Sequence, residues 1–479
     1  MSQVGQAPEK LKFSVKFWYA VGDIYGGGAF NIINFYYAIF LTSVLKISPF
    51  WVAAVMIASK AWDAISDPLM GRISDNTRTK WGRRRPYFLF GIPFIFISFF
   101  LLWFPADFSA QTLRAIFALT AYVFYSTVAT MVMVPYQAMM PELTDNYNER
   151  SSVSGIRIGF SLGASLVCAV LPPIIWESFG DVRVGYMVMA CVFGAIFALP
   201  WLGTFLKTKE RESYMHEPKR KGNMFKELAE TMQVKSFRKL VYMYLCSFLA
   251  LDVITTIFMF FMTYYLNEGD MGRYVLGVLI LVEIFAIPLA VIVANKTSKK
   301  FSFALGSLLW ALFALCTLFV TPQMSIVVMF VLAALMGVAL SMPIVMVFSI
   351  FSDTTDVGEL YFGKRTEGRF SGVQTLFRKV CSAGAVGLVM LGLGLAGFKE
   401  SIVSGVDIAQ PAEAILAIRL ILALVPAILL VIGAYVAKTM PLTNERYDKL
   451  RIYLDAKRNG IQLDEALASE VEGWKGTVL

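Results

Sequence analysis

The stretch KAWDAISDP, Lys60 to Pro68, lies in the middle of an otherwise apolar run spanning approximately residues 51–75. Lys60, Asp63 and Asp67 are spaced three and four apart, so on a helix they form one stripe. Each charge at the centre of a bilayer-spanning helix costs about 2.5–3.5 kcal/mol on insertion scales. Three on one helix need a compensating reason. Outward from this run, apolar stretches long enough to cross a bilayer recur along almost the whole chain. Spans are expected at approximately 16–44, 51–75, 86–105, 112–141, 152–177 and 183–206. Six more follow at 238–266, 271–294, 302–321, 324–351, 368–397 and 412–438. The expectation is an all-α membrane protein of twelve helices.

Composition agrees. Of 479 residues, 57% are hydrophobic and only 16% charged, against roughly a quarter charged in soluble domains. The mean hydropathy is +0.64. There is too little polar surface here to coat a soluble fold. The expected organisation is a six-helix bundle over 1–206, a polar linker over 207–237, a second bundle over 238–440 and a charged, helical tail over 441–479.

The net charge of +9 comes from basic residues between apolar runs, which fits membrane orientation rather than nucleic acid. Lys10, Lys12 and Lys16, Arg78 to Arg85, Lys207 to Lys239, Lys296 to Lys300, and Lys364 with Arg365 fall on one side. The positive-inside rule places that side, both termini and the linker in the cytoplasm. The five cysteines have neither metal-site nor disulfide spacing. The single histidine, His216, lies in the linker. No nucleophile–base pair is visible, so an enzyme is not expected, and nothing resembles a channel filter. No signal peptide is apparent, and no cofactor is expected.

The two halves echo each other. With Pro68 set on Pro288, Asp63 meets Glu283, Thr77 meets Thr297, Lys80 meets Lys300 and Trp81 meets Phe301. SGIRIGF from Ser154 echoes SGVQTLF from Ser371, which sets Arg157 against Gln374. Together these argue for a parallel repeat of two six-helix halves around a central cavity.

Three motifs carry candidate chemistry. Asp63 and Asp67 are neighbouring carboxylates whose repulsion a bound Na⁺ or a shared proton would relieve. Oxygen ligands suit a hard cation. A purely structural Lys60–Asp63 salt bridge is the alternative, and it leaves Asp67 unexplained. The second motif, GDIYGGG at Gly22 to Gly28, places Asp23 inside the first span beside glycines that admit a close backbone or ligand. The third, SGVQTLFRKVCS, puts Arg378 and Lys379 in an apolar span. Arg378 can snorkel to the surface, while Lys379 points about 100° away and is the better candidate for a cavity. Charges in the loops of the basic side, with Lys60 of the second span, form an expected ionic latch. Its members are Lys60, Asp75, Arg83, Asp145, Arg150, Asp353, Asp356 and Arg365, with a plain solvated-loop reading in competition.

WDAISDPLMG, VPYQAMMPELTDNYNER and DTTDVGEL…KRTEG, within approximately Ala20 to Lys438, resemble the glycoside–pentoside–hexuronide:cation symporters. These are melibiose-permease relatives of the major facilitators. The resemblance implies that Asp63, Asp67 and Thr130 bind the coupling cation. It implies that Asp23 and Arg157 help hold a sugar, with Lys379 near Gln374 and Thr375. There are departures: Met133 stands where melibiose permease has a further aspartate, Gln137 replaces its aromatic sugar platform, and Lys60 replaces an arginine.

The expected function is therefore cation-coupled (Na⁺ or H⁺) sugar or glycoside symport by alternating access. The bacterial inner membrane is the expected site, and the protein should act as a monomer among membrane lipids. The basic residues Arg378 and Lys379 point to an anionic substrate such as a uronide. Lysolipid transport on the same fold, or a membrane sensor or scaffold, are the alternatives.

Overall fold

The computed structural model describes residues 11–143, 147–210, 224–363, 367–399, 409–459 and 465–475. Among them the chain is almost entirely helical. In chain order the helices are α1 (Phe13–Ser43), α2 (Pro49–Asn76), α3 (Arg85–Leu102), α4 (Gln111–Leu143), α5 (Tyr147–Glu177) and α6 (Val182–Lys207). A short α7 (Met224–Gln233) precedes α8 (Lys235–Tyr265), α9 (Gly269–Lys296), α10 (Lys299–Phe319), α11 (Val327–Phe362), α12 (Glu367–Leu395) and α13 (Ala412–Lys438). The tail forms α14 (Asn444–Asn459) and α15 (Glu465–Gly473).

Eleven helices among the described residues are long and apolar enough to cross a membrane. The long helix missing from that set is α2. Its 28 residues reach about 42 Å at 1.5 Å per residue, so length is not the obstacle. Lys60, Asp63 and Asp67 at its centre depress its hydropathy. The helix that decides the sequence reading is thus the one that composition alone would exclude from the bilayer.

Two compact units form. The first combines Met1–Arg220 with Phe258–Gly277 and Val386–Ala417; the second combines Lys221–Ile257, Val278–Ala385 and Ile418–Leu479. In the first unit, α1 is interrupted by π-helical segments at Tyr25–Ala29 and Ile33–Tyr37. Such segments are frequent at functional sites. The glycine run within the first segment has a packing reason: a Cβ on Gly27 would lie 2.3 Å from Ser161 Oγ and 2.6 Å from its carbonyl oxygen. The backbone of α1 therefore rests directly on α5. Asn31 Nδ2 donates to Ser165 Oγ at 2.6 Å, and the Tyr36 hydroxyl donates to the Ala169 carbonyl. At the basic end Tyr19 and Tyr136 stack at 4.5 Å and exchange hydroxyl-to-carbonyl hydrogen bonds of 2.8 Å. This locks α1 to α4.

At the opposite end of the same unit, Arg273 of α9 pairs with Glu177 of α5, and the Ser43 and Tyr264 hydroxyls meet at 3.1 Å. A Cβ on Gly387 of α12 would strike Ile57 of α2 at 2.3 Å.

The second unit has its own core. Phe237, Val347, Phe370, Ala437, Leu450 and Val471 are fully buried in one cluster, so the tail helices pack on this unit. Lys299 Nζ meets both Asp353 carboxylate oxygens at 2.6 and 2.8 Å. The Tyr447 hydroxyl of α14 donates to Asp356 at 3.0 Å. Burial and these two aspartates hold the Tyr447 hydroxyl protonated well above the ordinary tyrosine range.

Glu210, just past α6, closes the start of α3. Its carboxylate accepts the backbone N–H groups of Arg83, Arg84 and Arg85 at 2.8, 2.7 and 3.1 Å. A carboxylate there satisfies orphan donors and suits the positive helix end. Gly82, at φ +109°, permits the approach: a Cβ would lie 2.6 Å from Glu210 Oε1. Glu210→Ala should cost about 1–3 kcal/mol, the desolvation penalty of buried donors left without a partner. Glu210→Gln should cost less. Thermal unfolding in detergent checks this, and an unchanged midpoint for the alanine variant would remove Glu210 from this role.

Candidate functional site

The seam between α2 and α4 gathers oxygen. Asp63 is buried and accepts a hydrogen bond from the Ser126 hydroxyl. One turn along α2, Asp67 Oδ1 accepts from Thr130 Oγ1 at 2.8 Å. The Ser66 hydroxyl lies 3.3 Å from Thr130 Oγ1 and within 3.4 Å of the Asp63 carbonyl. Two carboxylates and three hydroxyls thus line one stretch of two facing helices. Lys60, buried one turn before Asp63, holds its ammonium 5.3 Å from the centre of the Phe30 ring. It belongs to the middle of α2, away from the charged loops with which it was grouped.

Asp63, Asp67 and Thr130 therefore converge. Ser66 and Ser126 complete the cluster and were not anticipated. The signal was available: Ser126 and Thr130 are four apart, so they share a helix face, and Ser66 lies between the aspartates. Serine is too common in membrane helices for that spacing alone to single it out.

A second polar group sits on α1, α4 and α5 in the same unit. Arg157 Nε lies 3.4 Å from Asp23 Oδ2, and its guanidinium lies 5.9 Å from the Tyr136 ring centre. Arg157 Nη1 also approaches Met140 Sδ at 3.9 Å. Gly26 keeps room here: a Cβ would lie 2.6 Å from Met133 Cε and 2.8 Å from Asp23 Oδ1. Asp23 and Arg157 are thus brought together, as expected, and Met133 fills the space beside them.

The remaining expected contacts lie on α12 in the second unit. Gln374 is buried, Thr375 is exposed and Lys379 is partly buried. Arg378 does not snorkel to a surface. Its two terminal nitrogens meet the Asp252 carboxylate of α8 at 2.5 and 2.7 Å, with Phe248 5.1 Å away. A bidentate guanidinium–carboxylate pair neutralises both charges, which is the cheaper solution within a span.

Of the expected latch, Asp353 pairs with Lys299 and Asp356 with Tyr447. Asp75 pairs with Arg84 at 2.7 Å, while Arg83 gives its backbone N–H to Glu210. Asp145 and Arg365 lie outside the described residues, as does the side chain of Arg150.

Removing one partner of the Asp252–Arg378 pair should cost about 3–5 kcal/mol, because it strands the other charge in the bundle. Arg378→Met with Asp252→Leu should recover most of that stability. Unfolding midpoints of the two single variants and the double variant check this. Single variants as stable as the parent would show that the pair contributes nothing.

The family whose model matches residues 18–444 is described as MFS/sugar transport protein. An uncharacterized symporter of Synechocystis sp. is 29% identical, covering 94% of this chain and 98% of its own. The sodium-dependent lysophosphatidylcholine symporter 1 of Gallus gallus is 26% identical, covering 92% and 89%. A putative glycoside/cation symporter of Escherichia coli, YagG, is 27% identical, covering 88% and 90%. Among solved structures, the inward-open xylose transporter XylE of E. coli superposes with a TM-score of 0.64 at 12% identity, covering 92% of this chain and 99% of that one. That likeness concerns the fold.

Proposed function

The chain belongs to the MFS/sugar transport protein family, and from that premise we propose that it couples uptake of a sugar or glycoside to the entry of Na⁺ or H⁺. It is a multi-pass membrane transporter of the major facilitator fold, not an enzyme. The observation that carries the coupling reading is the oxygen cluster on α2 and α4: Asp63 and Asp67 bonded by Ser126 and Thr130. Carboxylates and hydroxyls are hard donors that suit an alkali cation, and the carboxylates also suit a proton.

In this reading the cation neutralises Asp63 and Asp67 first. Asp23 and Arg157 then offer an acceptor and a fork of donors side by side, a pairing that fits adjacent sugar hydroxyls. Gln374 and Lys379 serve as further contacts, with Lys379 favouring an anionic sugar. Alternating access involves the two halves, 1–206 and 238–440, joined by the linker 207–237. The ion pairs at Asp75 and Asp353 and the hydrogen bond at Asp356, together with Arg83, Asp145, Arg150 and Arg365, act as its latch. The termini face the cytoplasm and the protein resides in the bacterial inner membrane. Coupling is reciprocal: substrate tightens cation binding by the factor with which the cation tightens substrate binding.

A second reading is lysolipid transport. The lysophosphatidylcholine symporter named above favours it, and so does the local geometry. A zwitterionic headgroup would satisfy Asp23 and Arg157 together, and Met133 and Met140 beside them are adaptable apolar surface.

Proteoliposome uptake separates the readings. Under an imposed Na⁺ or proton gradient, a panel of glycosides and glycuronides should accumulate, while lysophosphatidylcholine should not. Asp63→Asn should abolish accumulation while the protein remains in the membrane. Normal accumulation by that variant refutes the cation role, and lysolipid uptake alone refutes the sugar.

A further inference from the structure

A carboxylate outside the sites above stands alone in the second unit. Glu283 is at the middle of α9, a 28-residue span, so about 20 Å of helix separates it from Asp270 at one end and Lys296 at the other. Exposed Leu281, Phe285 and Ile292 mark the outward stripe of α9; buried Ile280, Ala290 and Ala294 mark the inward one. At 100° per residue Glu283 falls at the centre of the inward stripe. It nevertheless remains partly exposed.

Neighbouring helices press close here. A Cβ on Gly337 of α11 would lie 2.6 Å from the Leu279 carbonyl and 3.1 Å from the Glu283 amide. Ser341 of α11 bonds to the Ala286 carbonyl at 3.4 Å, and Ser302 of α10 to the Ala290 carbonyl at 3.2 Å. These partners offer little charge. Between Val327 and Ser352, α11 has no titratable residue. On α10 the titratable groups are Lys299 and Lys300 at its start and Cys316 near its end, and Lys299 is committed to Asp353. Arg273 of α9 is committed to Glu177 of α5. On α8, which packs beside the start of α9, Asp252 is committed to Arg378. Among the described residues Glu283 has no ion pair and no side-chain hydrogen bond.

An ionised carboxylate in such a place, with no counter-charge, is too costly to persist. Its remaining course is to take up a proton. Internal repetition adds an independent observation: Glu283 occupies in the second half the register that Asp63 occupies in the first. We propose that Glu283 is a second proton-binding site of the transporter, separate from the α2 cluster, that takes one proton from water and returns it during the cycle. Only its place in the transport cycle rests on the coupling reading; the titration itself does not.

Infrared difference spectra between acid and alkaline buffers, recorded on the full chain in proteoliposomes, test this. The parent should show a protonated-carboxyl C=O band that Glu283→Gln removes, that Glu283→Asp keeps and that Asp63→Asn leaves in place. Substrate exchange by Glu283→Gln should lose one limb of its pH dependence. If the band survives in Glu283→Gln with an unchanged pH profile, or if no band assignable to Glu283 titrates, the proposal falls. Should Asp63→Asn accumulate substrate normally while the Glu283 band stands, the coupling reading falls and this one survives. Unfolding midpoints show that the variants are folded.

Discussion

A carboxylate in hydrocarbon must be bonded, paired or discharged, and the architecture around α2 follows from that constraint. Asp63 and Asp67 remove α2 from the set of helices that hydropathy alone would insert. What makes the helix tenable is its seam with α4, where Ser126 and Thr130 donate to the two carboxylates. Neutral hydroxyls stabilise anions through charge-assisted bonds without cancelling them. The seam therefore holds the helices together. Small side chains at the contact serve both ends, since they let the helices approach and they bring oxygen with them.

Charge arithmetic distinguishes this cluster from the other buried polar groups. Asp252 with Arg378 sums to zero, and so does Asp23 with Arg157. Lys60, Asp63 and Asp67 together sum to one negative charge. The glycines of α1 matter for the same economy: by resting backbone on α5, Gly27 brings Asp23 within reach of Arg157 without a long side chain between them.

Much of the fold was legible because the bilayer demands long apolar helices and tolerates few alternatives. The last span, expected at 412–438, is observed as Ala412–Lys438; the second, expected at 51–75, as Pro49–Asn76. The helical tail was legible too. Of the candidate cluster, Asp63, Asp67 and Thr130 do converge. What escaped the sequence was partnership. Asp252 is 126 residues from Arg378, and no local spacing predicts that meeting, so Arg378 read as a snorkelling side chain. Ser66 and Ser126 escaped because hydroxyls are ordinary in membrane helices. The π-helical segments of α1 and the Glu210 clasp escaped for a related reason: each depends on where a distant backbone comes to rest.

Met133 shows how one departure changes the chemistry of a site. Where melibiose permease places an aspartate, this chain places a methionine whose methyl group abuts Gly26, beside Asp23. An additional carboxylate there would add negative charge close to Asp23 and draw on Arg157, the partner that Asp23 already uses. With methionine, Arg157 stays with Asp23, and Asp63 and Asp67 keep the hydroxyls of Ser126 and Thr130.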